Sequence, residues 1–177
     1  MRNSKFDPLR VNHMGVSIAV PGHCPIPTIS CNQPTHLDVR LAWAAGFIDG
    51  DGCVGAVVQR HQGRKTPSIR IRVVITQNDH YTLLVLKNVL GERGALNAVK
   101  RQPCQNRQPY QLQYDGRHAI AVINKVLPYL VRKAAEADAC LQLATEGQVG
   151  TCPGPNGFSA EVHERRAYWV NRIRRMK

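Results

Sequence analysis

Acidic side chains are what this sequence is short of. Twelve Asp and Glu stand against 24 Lys and Arg, for a formal charge of +12 and an isoelectric point near 9.9. The shortage is regional. Residues 53–78 contain no acid and carry Arg60, Arg64, Lys65, Arg70 and Arg72; residues 93–114 contain none and carry Arg93, Lys100, Arg101 and Arg107. Two segments cleared of anions suit a surface that meets a phosphate backbone. Long apolar runs are also missing: none approaches the roughly 18 residues of a membrane span. No basic amphipathic helix favours an anionic membrane over nucleic acid, so no membrane partner is expected. No signal peptide opens the sequence, and an intracellular protein is expected. Its compartment, organelle (chloroplast or mitochondrion) or prokaryotic cytoplasm, stays open.

Closely paired cysteines are absent as well. The six stand at 24, 31, 53, 104, 140 and 152. Cys24 and Cys31, with His23 and His36 nearby, are too far apart for a usual zinc knuckle, so reduced thiols are expected. At 177 residues and 43% hydrophobic, the chain supports one domain with a real core.

Along the chain, Pro21, Pro25, Pro27 and Pro34 forbid a long helix in residues 1–34, which read as an extended N-terminal arm with one short strand at 15–20. Thr35 and Asp38 then form a capping-box pattern for a helix. Leu37, Leu41, Ala44 and Ile48 make its apolar face, and Ala42, Ala45 and Gly46 a second face of small residues. After Gly52 the period becomes two. Val54, Ala56 and Val58 alternate with Val57, Gln59 and His61; a basic turn carries Arg64 and Lys65. The next strand sets Ile69, Ile71, Val73 and Ile75 against Ser68, Arg70 and Arg72. A solvated face normally mixes charges of both signs; this one shows only cations, which points to DNA.

Asn78 or Asp79 caps a helix running to Leu90, with Tyr81, Leu84, Val85 and Val89 expected inward and Gly91 as its stop. A second hairpin follows, at 95–101 and 110–114, with Arg107 in its long tip. Gln111 and Gln113 face outward, with Asn97 and Arg101 on the partner strand; Gln can pair bidentately with adenine. Helices are expected from about His118 to Pro128 and from about Arg132 to Thr145. Residues 148–158 read as a linker, and Ser159 caps a last helix ending in Arg172, Arg174, Arg175 and Lys177. The divisions are thus 1–34, 35–147 and 148–177, and the fold class α+β with the order αββαββα.

The stretch that organises all this is residues 41–52. It contains Gly46, Gly50 and Gly52, each costly in a helix relative to Ala, and ends in Asp49 and Asp51. Residues 44–52, Ala-Ala-Gly-Phe-Ile-Asp-Gly-Asp-Gly, resemble the motif of the LAGLIDADG homing endonucleases and related intron maturases. The motif occurs once, so the resemblance implies a C2 homodimer whose motif helices pack together, with Ala42, Ala45, Gly46 and Asp49 at the interface. It implies a saddle-shaped sheet on double-stranded DNA and a long, near-palindromic site. It also implies that Asp51, with the Gly50 carbonyl, holds Mg²⁺, Mn²⁺ or Ca²⁺ being able to replace it for binding. Gln77 matches a residue that positions water, and Lys133 a basic residue of the pocket; Asp49 shapes the turn. Four residues past Gln77, relatives often carry Arg where this chain has Tyr81, leaving the second basic pocket position to His80, Arg132 or neither. The expected activity is double-strand cleavage in intron homing. The rivals are an RNA maturase binding its host intron and a non-catalytic DNA-binding regulator of the same fold.

Overall fold

A computed structural model of the chain describes residues 35–63, 66–102, 106–153 and 157–177. The arm expected over 1–34, the turn residues Arg64 and Lys65, and Cys104 lie outside the described residues. In chain order the elements are α1 (His36–Asp51), β1 (Gly52–Gln59), β2 (Ser68–Gln77), α2 (His80–Leu90), β3 (Ala95–Ala98), β4 (Tyr110–Asp115) and α3 (Arg117–Val126). A 3₁₀ turn (Leu127–Tyr129), α4 (Ala134–Glu146) and α5 (Ala160–Arg175) follow. The strands form one antiparallel sheet in the order β1-β2-β4-β3. The fold is α+β, and its first seven elements run αββαββα as the sequence periods require.

The sheet has one apolar and one polar face because its strands alternate. Ile71, Val73 and Ile75 of β2, Val54 of β1, and Leu112 and Tyr114 of β4 are buried. Helices α1, α2 and α3 cover that face. Helices α4 and α5 pack on each other and, among the strands, mainly on β1, whose outer edge would otherwise be free to pair with another chain. Val170 and Ile173 of α5 join the same core. Arg166 of α5 is also buried, donating to the carbonyls of Gly147 (2.5 Å) and Gln148 (3.0 Å) with its guanidinium 3.8 Å from the Phe158 ring centre. Those contacts fasten α5 to the turn that ends α4.

Three packing expectations are corrected. In α2 the buried stripe is Leu83, Leu86 and Leu90, while Tyr81 is 72% exposed, Leu84 is exposed, and Val85 and Val89 are half-buried. Two apolar stripes compete in this helix; Asp79, accepting from the N–H groups of Tyr81 and Thr82, fixes its start, and the 83/86/90 stripe packs on the sheet. In α1, Leu37 is 59% exposed and Ala45 is fully buried in its own chain. A helix turns about 100° per residue, so Ala45 lies nearer Ile48 than Gly46 and belongs to the core, not to the small-residue face. Strand β3 stops at Ala98, so Arg101 is not on it. The ladder runs out because Val99 donates to the Pro109 carbonyl (2.9 Å) and Pro109 has no N–H to continue it.

One core position invites a test. The Tyr114 hydroxyl is buried without a hydrogen-bond partner among the described residues, and a Cβ at Gly94 would stand 2.6 Å from the Tyr114 ring. Burial of an unpaired hydroxyl costs about 1–3 kcal/mol, so Tyr114→Phe is expected to leave stability unchanged or raise it. Gly94→Ala is expected to lose about 1–3 kcal/mol by overpacking. Urea denaturation of both variants checks the opposite signs.

Candidate functional site

Helix α1 ends in a reciprocal clamp with the segment entering α4. The Asp49 carboxylate accepts from the backbone N–H groups of Val131 (2.7 Å), Arg132 (3.1 Å) and Lys133 (2.9 Å). In return Lys133 Nζ donates to the carbonyls of Ile48 (2.8 Å) and Asp49 (2.5 Å), and the Arg132 guanidinium reaches the Asp49 carbonyl at 3.5 Å. Each charge suits the dipole it meets: an anion at the start of α4, a cation at the end of α1. Desolvation opposes the charged Asp49, but the three N–H groups and the Lys133 charge outweigh it and hold the carboxyl below its usual range. Burial, then Arg132, holds the Lys133 ammonium below the usual lysine value.

Asp51 closes α1 and is exposed. Its Oδ2 accepts from Gln77 Nε2 at 2.5 Å, 26 residues away in sequence. The register of β1 on β2, Gly52 opposite Ile75, carries the end of β2 to the end of α1. Asp51, Gln77 and Lys133 are therefore gathered at one helix terminus. Tyr81 stands exposed on the first turn of α2, and the ring of neighbouring His80 lies 4.8 Å from that of Tyr110.

The motif glycines divide into two kinds. A Cβ at Gly52 would stand 2.7 Å from the Ile48 carbonyl oxygen, so the tight passage from helix to strand requires glycine there. At Gly46 and Gly50 an added Cβ would meet nothing within 4 Å among the described residues. With Ala42, and with exposed Val39 and Trp43, they form an open helix face. Asp49, expected at the same interface, instead turns its carboxylate into its own chain.

The polar sheet face assembles most of the outward residues expected from sequence. Val57 lies opposite Arg70, Gly55 opposite Arg72, and Gln59 opposite Ser68; Gln111 lies between Thr76 and Asn97. His61 Nε2 and Ser68 Oγ are 2.9 Å apart at the end of the first hairpin. Arg70, Asn97, Arg101 and Arg107 are exposed. The face is not free of acid, however. Asp115 of β4 lies opposite Arg72, which donates to it at 2.6 Å, and Gln113 donates to it at 2.5 Å. Arg72 is therefore an ion-paired residue and Arg70 the open arginine of β2. Asp115 follows the acid-free segment by one position, so only the strand register reveals the pair.

The chemistry of the donor set tests whether a divalent cation fits. Of the four carbonyls a helix end leaves without intrahelical partners, those of Ile48 and Asp49 are taken by Lys133 and, for Ile48, the Gly52 N–H. The Gly50 carbonyl follows beside the exposed Asp51 carboxylate. Two hard oxygens suit Mg²⁺ or Ca²⁺. Among the described residues no three His, Cys, Asp or Glu side chains converge on one point, so this chain supplies part of such a donor set.

The clamp makes Asp49→Asn informative. It removes charge from three N–H···O bonds, and a loss of about 1–2 kcal/mol is expected for a partly exposed group. A carboxyl held below its unfolded value stabilises above that value, and the gain disappears as pH falls through the folded one. The difference in Tm between the two proteins should therefore be present at neutral pH and shrink in acid below pH 4.

Comparison with known proteins now bears on these features. Residues 44–135 match the family described as LAGLIDADG endonuclease. The DNA endonuclease I-CvuI of Chlorella vulgaris is 30% identical over 116 residues, 63% of this chain and 68% of that one. The crystal structure of I-CvuI with the I-CreI target superposes with a TM-score of 0.65 at 25% identity, covering 80% of this chain and 84% of that chain. An archaeal intron-encoded enzyme, I-Vdi141I, shares the fold at a TM-score of 0.63 and 17% identity over 79% and 85% of the two chains. With the motif helix, the sheet and the Asp51–Gln77 contact in place, the chain belongs to the LAGLIDADG endonuclease family and is a DNA endonuclease.

Proposed function

We propose that the chain acts as a C2 homodimer that cuts both strands of a long, near-palindromic DNA site, in the service of intron homing. The observation that carries the dimer is the open face of α1: nothing among the described residues accounts for the small size of Gly46 and Gly50. A second copy of the helix packed on that face, with Ala42, Gly46 and Gly50 allowing close approach, brings two Asp51 residues side by side. Crystal structures of the relative I-CvuI were determined with Mg and with Ca. That supports a hard divalent cation held here by Asp51 and the Gly50 carbonyl. Such a cation, when bound, lowers the pKa of water and neutralises charge at the phosphate.

The chain's own residues do the rest. Gln77 holds one oxygen of Asp51, which fixes the direction of the other. Lys133 neutralises the carbonyl end of α1 and places a positive charge beside the acidic terminus. The sheet's polar face meets the duplex: Arg70 faces phosphate, while Gln111 and Asn97, neighbours across β4 and β3, are placed to read base edges. Asp115 restrains Arg72 and keeps this face from binding every duplex alike.

With Mg²⁺ and a near-palindromic target, the wild-type chain should cut both strands. Asp51→Asn should bind equally well and cut at background rate, and Gln77→Ala should lose about 10–100-fold. Gly46→Leu fills open space, so it should leave the monomer folded while sedimentation shows loss of the dimer and cleavage stops. Wild-type chain that binds such a site tightly and leaves it intact would overturn the nuclease reading. For the sheet face, Asp115→Asn frees Arg72. Its binding to mixed-sequence DNA should become tighter and more salt-dependent, measured as the slope of log affinity against log salt.

A further inference from the structure

Lys177, two residues beyond α5, is carried around the covered edge of β1 onto the polar face of the sheet. Its Nζ lies 3.1 Å from the Cys53 sulfur. A Cβ at Gly55 would stand 2.7 Å from that Nζ and 3.2 Å from Lys177 Cε, so glycine inside β1 matches the close approach of this side chain. Cys53 and Gly55 pair with Val74 and Arg72, so the ammonium lies above the same strand face as Arg72. Between them is a hollow of about 60 Å³ bounded by Cys53, Gly55, Val57, Arg72, Val74 and Lys177. Asp115 holds Arg72 by ion pairing. Among the described residues no carboxylate forms an ion pair with Lys177.

Cys53 is two residues from Asp51, at the start of the strand that leaves the motif helix. The exposed Lys177 ammonium thus flanks the Asp51 terminus on the sheet side, as Lys133 flanks it on the helix side. The first turn of α2 offers exposed Tyr81 instead of a cation. An anionic oxygen entering the hollow would meet Lys177 and the outer rim of Arg72 together.

We propose that Lys177 is a DNA-contacting residue that binds the phosphate backbone beside Asp51, delivered to the sheet by α5 and admitted by Gly55. This rests on the reading of the polar face as the DNA surface. The sequence shows a basic helix end in which Lys177 is one cation of several; its separate position follows from the packing of α5 on β1.

The test uses the full chain, Ca²⁺ and a mixed-sequence duplex, with affinity measured across a salt series. Lys177→Met should lower the log–log salt slope by about 0.9 per chain bound, and Lys177→Arg should keep it. Gly55→Ala should displace the flexible amine and weaken binding in the same direction, and should add nothing in a Lys177→Met background. The Tm of Lys177→Met should equal that of wild type, since the side chain is exposed. An unchanged slope in Lys177→Met, with wild type binding DNA normally, overturns this proposal and leaves the nuclease reading standing. A wild-type chain whose DNA binding ignores salt overturns both this proposal and the reading of the polar face as the DNA surface.

Discussion

The arrangement depends most on the reciprocal clamp between the end of α1 and the entry to α4. A helix must dispose of four unpaired groups at each end, and here two ends dispose of theirs on each other. Asp49 takes three N–H groups at the start of α4; Lys133 takes two carbonyls at the end of α1. The partners are more than eighty residues apart, so the clamp closes the chain around the core. It also fixes where α1 stops, and with it the direction in which Asp51 leaves the helix. The two motif carboxylates therefore do different work: Asp49 is bound inward and Asp51 stands outward.

From that fixed end the remaining parts follow by register. Gly52 lets the chain turn at once into β1, and the pairing of Gly52 with Ile75 delivers Gln77 to Asp51. The same register spreads Arg70, Gln111 and Asn97 over one polar face. Helices α4 and α5 close the edge of β1, which is how residues far from the motif, Arg166 in the core and Lys177 on the sheet, become part of the same construction.

Much of this was legible in sequence because it rests on local patterns. The Thr35–Asp38 capping box forms as read, the alternation in 68–77 gives β2, and the carboxylate expected to act is the exposed one. Failures arose where two readings fit the same local pattern. Ala45 has a small neighbour on either side in sequence, but its angle on the helix puts it in the core, and α2 carries two apolar stripes that periodicity alone does not rank. Arg101 extends the strand pattern by sequence, but Pro109 ends the ladder before it. The Arg72–Asp115 pair and the approach of Lys177 to Gly55 join residues 43 and 122 positions apart, and no local pattern encodes such contacts.

In the proposed dimer, two Asp51 residues from two copies of α1 act as one centre. Joining two chains covalently, with Asp51→Asn in one half only, tests it most directly. Loss of double-strand cleavage with retained DNA binding is the expected result. Cleavage of both strands at the rate of the joined wild-type pair would contradict it.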